Sequence, residues 1–406
     1  MKIVIIGAGL GSEKYLTEVS REKIDKADLI LTTKRIFEKL GHLNKNMICQ
    51  EIGEISKFII ENKDKYKNSN VVILATGDIG FFSISKLLKR DLEEFELEFI
   101  NGISSLQYLT SALKTTYSDI KVISIHGREN KVIPFVSYNP RVFVLTGGEY
   151  KAGDVIKDLY RVGLKNITIT VGENLSDENE RIVTDTIENM LEMEFGNLSV
   201  MLIENRDYID CHKKIFDADF IRGKVPMTKS SIRTLAISMM EVKPTDKILD
   251  VGAGTGAVTI ELARRTYEGM VYGIEQNDVA LELIKENREK LKAYNIEIIK
   301  GLAPDGFEKL PKIDKAFIGG SKGNLNKIIE KLVENNKKIK IVITSIALET
   351  LNEAMICLEK LGFMTSISCI NVSNVEKIAG YSMMKSENPI YIITGELNSG
   401  ETNENN

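Results

Sequence analysis

Tryptophan is absent from the 406 residues, histidine occurs three times and cysteine four times. Each scarcity removes a class of protein. Cys49, Cys211, Cys357 and Cys369 lie far apart with no C-x-x-C among them, so free thiols in a reducing compartment are expected rather than a disulfide framework. His42, His126 and His212 are too few for a histidine-rich zinc or iron centre, and no metal site is expected. No apolar run approaches the about 18 residues of a membrane span. The opening Ile3-Val4-Ile5-Ile6 breaks at Gly7, too short for the apolar core of a signal peptide. A cytoplasmic protein without a membrane partner is expected. Excess charge is missing too: 54 Lys and Arg stand against 58 Asp and Glu, so the net charge is −4 and no nucleic-acid partner is expected.

What is present is ordinary globular material, 43% hydrophobic and 28% charged, with a mean hydropathy of −0.10. At about 100–200 residues per domain, the length allows two or three domains. Two segments share one local grammar, a short β-branched strand, a glycine-rich turn and then helical periodicity. The first is Ile3-Val4-Ile5-Ile6 before Gly7-Ala8-Gly9-Leu10-Gly11; the second is Lys247-Ile248-Leu249-Asp250-Val251 before Gly252-Ala253-Gly254-Thr255-Gly256. Each opens an α/β domain. Strands are expected at 71–75, 97–100, 121–125, 142–145, 167–171 and 198–203 in the first part. In the second they are expected at 247–251, 270–274, 296–299, 315–318, 339–344, 365–373 and 389–394, with an antiparallel end. The pattern divides the chain into a domain over 1–204, a polar linker over 205–221, a domain over 222–396 and a disordered tail over 397–406.

In the second glycine turn the spacing is G-x-G-x-G after an acid, not the G-x-G-x-x-G of nicotinamide folds. Nineteen residues after Gly256, the next strand ends in Glu275, where a carboxylate can accept both hydrogen bonds of a ribose diol. The turn resembles motif I of class I S-adenosylmethionine methyltransferases. Pro226-Met227-Thr228-Lys229, Phe317-Ile318-Gly319-Gly320-Ser321 and Glu387-Asn388-Pro389 extend the likeness. Residues 218–396 resemble the decarboxylating precorrin methyltransferases of the CbiT type, which methylate C15 of the corrin macrocycle. That resemblance implies cofactor contacts at Thr228, Gly252, Ala253, Gly254, Thr255, Gly256, Glu275 and Ala303. It turns Gly319, Gly320 and Ser321 toward the tetrapyrrole, and by charge Arg222, Lys224 and Lys229 are candidates to bind the carboxylates of such a substrate. Leu302 stands where the family carries aspartate, which implies either that Asp305 or the backbone takes over near the adenine or that adenine affinity is lower.

The first glycine turn is followed by Ala75-Thr76-Gly77-Asp78-Ile79-Gly80, Gly102-Ile103-Ser104-Ser105, His126-Gly127-Arg128 and Gly172-Glu173-Asn174-Leu175. In that order these resemble the tetrapyrrole methylases, and the last two look like the CbiE branch, which methylates C5. The resemblance implies two small α/β lobes holding S-adenosylmethionine through Gly77, Asp78, Gly80, Ser104 and Ser105, with Gly9 on the tetrapyrrole side. Leu10 and Ile79 replace the prolines of commoner forms. Arg128 suits the acetates and propionates of a corrin precursor, because guanidinium binds carboxylate bidentately.

Together the resemblances imply a fused precorrin C5,15-methyltransferase (decarboxylating), with one S-adenosylmethionine per domain, a cobalt-precorrin substrate and a homo-oligomeric assembly. The fold class is α/β: a tetrapyrrole-methylase fold, then a Rossmann-like class I sheet. A sulfonium is already a good electrophile, so the protein mainly has to hold a carbon nucleophile in line and exclude water. Asp78, His126 and Glu349 are the candidate acids and bases, with buried helix capping as the other reading of Glu349. Two alternatives stay open: a methyl acceptor in RNA or protein, and a fusion in which one half is a non-catalytic scaffold.

Overall fold

The structure is a computed structural model describing residues 1–125 and 132–397. The chain forms two compact units: residues 1–130, 141–157 and 167–204 make the first, and residues 131–140, 158–166 and 205–406 the second. The sequence boundary at 204 is therefore crossed twice. Tyr138 gives the physical reason, since its hydroxyl donates to Asn295 Oδ1 at 2.7 Å in a buried pair inside the second unit. Residues 205–221, expected as a linker, also join that unit, with Ile215 and Phe220 buried in its core. No helix among the described residues is long and apolar enough to cross a membrane.

In the first unit, β1 (Lys2–Gly7), β2 (Leu29–Thr32), β3 (Met47–Cys49), β4 (Val71–Ala75) and β5 (Glu96–Ile100) form a parallel sheet in the order β3-β2-β4-β1-β5. The central strands β1, β2 and β4 are buried almost throughout, as a sheet covered on both faces requires. A second, mixed sheet holds β6 (Lys121–Ser124), β7 (Arg141–Leu145), β8 (Ile167–Glu173), β9 (Arg181–Thr186) and β10 (Ser199–Asn205) in the order β6-β7-β10-β8-β9.

In the second unit, seven strands run β13-β12-β11-β14-β15-β19-β16. They are β11 (Lys247–Val251), β12 (Met270–Glu275), β13 (Ile296–Lys300), β14 (Lys315–Ile318), β15 (Lys340–Ser345), β16 (Phe363–Ile370) and β19 (Ile390–Leu397). β11 pairs in parallel with both β12 and β14, so the strand order reverses beside it and leaves a crevice at the carboxyl ends. β19 is antiparallel to β15 and β16, the antiparallel end that was expected. β16 covers most of the strand expected over 365–373, and beyond it stands an unexpected hairpin of β17 (Ser373–Ile378) and β18 (Tyr381–Ser386), both fully exposed.

Candidate functional site

In the second unit, β11 ends in Asp250-Val251 and the glycine loop leads into the helix Ala257–Arg265. Gly252 is at φ +77°, and a Cβ there would lie 3.0 Å from the Gly320 carbonyl oxygen, so conformation and space both demand glycine. Gly319 N–H donates to Val251 O at 3.0 Å, which joins the Gly319-Gly320 turn to the same strand end. Most of the loop's N–H groups are turned onto the protein itself. Gly252 and Ala253 both donate to Ile274 O, Gly256 donates to Ala253 O, and Gly254 donates to Glu275 Oε2 at 3.0 Å. With four of its five N–H groups turned onto the protein, the loop has few donors left for a phosphate, unlike a dinucleotide loop.

Glu275 is the pivot of this crevice. Its Oε1 accepts from Gln276 and Asn277 N–H, each at 2.9 Å, while Oε2 takes Gly254. These three bonds fix the carboxylate and leave about one of its four lone-pair sites, on Oε2, for a hydroxyl donor. Gly301 N–H donates to Glu275 O at 3.0 Å, bringing buried Ala303 alongside. Beneath the loop, Asp250 is 1% exposed; Thr259 Oγ1 donates to its Oδ2 at 2.5 Å. Its Oδ1 is buried without a partner among the described residues. Burial, helped by the nearby Glu275 charge and opposed by the Thr259 bond, pushes the Asp250 carboxyl up to about 7.

Thr228 is held by a residue the sequence did not single out. Arg233, fully buried, donates to Thr228 O at 2.6 Å, to Asp217 Oδ1 at 3.0 Å and to Glu261 Oε1 at 2.7 Å. Its guanidinium also lies over the Phe220 ring. A Cβ on Gly254 would come 3.4 Å from Pro226 O, so the Pro226–Thr228 segment abuts the glycine loop. The crevice thus collects Thr228, Gly252 to Gly256, Glu275, Ala303, Gly319 and Gly320. Lys229 is spoken for: its ammonium pairs with Glu387 at 2.5 Å. Ser321 is half-buried, and its carbonyl oxygen accepts from Asn324 N–H. Glu349 is exposed in the first turn of the helix Leu348–Lys360, whose N-cap is Ala347, so the buried-capping reading is corrected. Among the described residues no hydrogen bond or ion pair reaches the Glu349 side chain.

In the first unit three loops are seamed together at the carboxyl ends of β1, β4 and β5. Gly9 and Gly77 exchange N–H···O bonds of 3.1 and 2.6 Å. Gly102 lies so close to β1 that a Cβ on it would be 2.3 Å from Gly7 O. Ser104 is the N-cap of the helix Ser105–Ala112, and its hydroxyl accepts from Gln107 N–H in a capping box. Between the two sheets of this unit is a cavity of about 280 Å³, near the lower bound for small-molecule sites. Thr76, Gly77, Ser104 and Ser105 line it from one side, Thr146, Ser199 and Leu198 from the other. Arg35 also reaches it, another residue the sequence reading passed over.

Asp78, Gly80 and Gly9 do not line that cavity. Asp78 is half-buried with its Oδ1 enclosed and unpartnered among the described residues, Gly80 is exposed, and Gly9 is buried against Tyr15. His126 and Arg128 lie outside the described residues. On metals, the cysteine spacing missed that the ligand atoms of consecutive Asp210, Cys211 and His212 lie within 4.8 Å of one another. Burial pushes the Cys211 thiol up, against the thiolate a metal needs.

Comparison with known proteins follows the two units. Residues 2–191 match the tetrapyrrole (corrin/porphyrin) methylases, and residues 219–395 match the precorrin methyltransferase domain. A relative from Sulfurisphaera tokodaii, named "Probable cobalt-precorrin-6B C(15)-methyltransferase (decarboxylating)", is 40% identical over 188 residues, covering 44% of this chain and 95% of the relative. The chain belongs to the precorrin methyltransferase family. Its amino-terminal part is a tetrapyrrole methylase domain and its carboxyl-terminal part a precorrin methyltransferase domain. Among solved structures, this precorrin methyltransferase is similar to a precorrin-6y C5,15-methyltransferase from Geobacter metallireducens, at 34% identity and TM-score 0.43 over 45% of this chain and 97% of that one. A precorrin-6Y methylase from Archaeoglobus fulgidus is 22% identical, with TM-score 0.40 over 50% of this chain and 98% of the other.

Proposed function

We propose that the chain is a bifunctional, S-adenosylmethionine-dependent corrin methyltransferase of cobalamin biosynthesis. In this reading a domain over 1–204 methylates C5, and a domain over 222–396 methylates C15 and releases the carboxylate of the C12 acetate as carbon dioxide, leaving a methyl group on C12. The observation that carries it is Glu275, a carboxylate fixed by three backbone N–H groups at the reversal point of a doubly wound sheet, beside a left-handed glycine loop. The residues suit the cofactor. Glu275 keeps an acceptor site on Oε2 for a ribose hydroxyl, Asp250 Oδ1 is an enclosed polar atom without a partner among the described residues, and no atom lies within 4 Å of a Cβ built on Gly320 or Gly77. S-adenosylmethionine supplies, when bound, an electrophilic methyl group.

The protein's own task is then to bind, orient and exclude water. In the second unit Glu275 and Ala303 would hold the nucleoside end, Thr228 and the glycine loop the remainder, and Gly319-Gly320-Ser321 would face the macrocycle. In the first unit Gly77, Ser104 and Ser105 would hold the cofactor in the cavity. Loss of the C5 proton needs an acceptor, for which Asp78 and His126 are the proposed groups; loss of carbon dioxide needs none. Cobalt enters as part of the substrate.

Mass spectrometry of the whole protein incubated with cobalt-precorrin-6B and S-adenosylmethionine tests this. Two methyl additions and one loss of carbon dioxide are expected. No mass change with either cobalt-loaded or metal-free substrate would overturn it, and a single methylation would support the reading in which one half is a scaffold.

A further inference from the structure

Among the described residues, the cavity of the first unit is lined by one cation and no anion. Arg35, on the helix Lys34–Leu40, is the only ionisable side chain among the described residues that line it; the rest are hydroxyls, glycines and apolar groups such as Leu10 and Phe81. Its guanidinium is poorly served by the protein. Nη2 makes only a long bond to Leu10 O at 3.4 Å, and Nε is buried without a partner among the described residues. The nearest carboxylate, Asp177, is held by Lys39. Burial pulls Arg35 below its ordinary value, with Asp177 only partly compensating. A guanidinium nevertheless stays charged at neutral pH, so it carries a desolvation cost that an incoming anion would offset.

The geometry also says which anion. A fork whose Nε lacks a partner among the described residues and whose Nη2 is held only at 3.4 Å matches the two oxygens of a carboxylate. The greater charge of a phosphate would call for a second cation, but none lines the cavity among the described residues, and nearby Lys39 is committed to Asp177. We propose that Arg35 is a carboxylate-binding residue of the first-unit cavity, its guanidinium fork seating one carboxylate of the molecule bound there. This rests on the reading of that cavity as a methyltransferase site. The carboxylate has two sources, the amino-acid end of the cofactor and an acetate or propionate arm of the tetrapyrrole.

Calorimetry and kinetics on the full chain separate the possibilities, using Arg35→Met, which keeps length and loses charge, and Arg35→Lys. The probes are S-adenosylhomocysteine, 5′-methylthioadenosine, which lacks the carboxylate, and cobalt-precorrin-6B. If the carboxylate is the cofactor's, Arg35→Met weakens one of two S-adenosylhomocysteine sites by about 10- to 100-fold and leaves methylthioadenosine binding unchanged. If it is the substrate's, both nucleosides bind as before and KM for C5 methylation rises by a similar factor. In either case Arg35→Lys recovers part of the loss. The proposal is overturned if Arg35→Met alters neither affinity nor KM. It is equally overturned if methylthioadenosine weakens as much as S-adenosylhomocysteine, which would make Arg35 a structural brace. Wild-type protein taking up only one equivalent, and that one lost in Gly252→Val, would instead sink the reading of the first unit itself, and Arg35 with it.

Discussion

The two glycine turns begin alike and end in different chemistry. After β11 the turn is surrounded by carboxylates: Glu275 accepts from the loop's own backbone, and Asp250 sits beneath it with one oxygen unpaired. After β1 the turn is tied instead to a second loop through Gly9 and Gly77, and the adjoining cavity offers hydroxyls and a single guanidinium. A strand, a glycine turn and a helix therefore specify only a place where backbone can approach closely. What is bound there depends on the next strand's last residue and on which loops are drawn alongside. The second unit is specified by an acid near in sequence, the first by residues gathered from two sheets.

The strongest way to break this contrast is at Arg233. Arg233→Met would leave Asp217 and Glu261 without their buried partner, and Glu261 is already pushed up by burial. A loss of about 3–5 kcal/mol in urea unfolding is expected for the second unit, together with weakened nucleoside binding there and unchanged binding in the first. Equal loss at both sites would show that Arg233 does not act through Thr228. Next in size is a pH effect. Asp250 releases its proton near 4 when unfolded but only near 7 when folded, so its contribution to stability falls as pH rises from about 4 to 7 and is level above that. Across that window wild type should lose up to about 4 kcal/mol relative to Asp250→Asn; parallel stability curves for the two proteins would contradict the assignment.

A smaller effect is expected at the pivot itself. Glu275→Gln keeps an acceptor but loses the charge, and should weaken S-adenosylhomocysteine binding in the second unit by about 10- to 100-fold, read as one shifted site of two. The smallest belongs to the first unit. Ser104→Ala removes an N-cap and should cost about 1 kcal/mol. A much larger loss of ligand affinity than of stability would show that the Ser104 hydroxyl serves the ligand more than the helix.

The central strands were legible because buried parallel strands are written as runs of Val, Ile and Leu, as in Val71–Ala75 and Lys2–Gly7. β2 and β3 were missed because four and three residues carry no period. The hairpin β17–β18 was missed for a different reason: with both strands exposed, no burial imprints an alternation. Its turn, with Ala379 at φ +49° and Gly380 at φ +87°, was the one available signal. In the sites, Glu275 was readable from its distance to the glycine loop. Arg233 was not, because Asp217 and Glu261 lie 16 and 28 residues away and only folding assembles them. Arg35 had no motif around it, and its meaning comes from a cavity that two sheets close.

The central claim is that each unit holds its own cofactor site. Calorimetric titration of the whole chain with S-adenosylhomocysteine tests it most directly, alongside Gly252→Val, which places a side chain at φ +77° and within 3.0 Å of Gly320 O. Two equivalents in wild type and one in the variant are predicted. One equivalent in wild type, or loss of both sites in a folded variant, would contradict it.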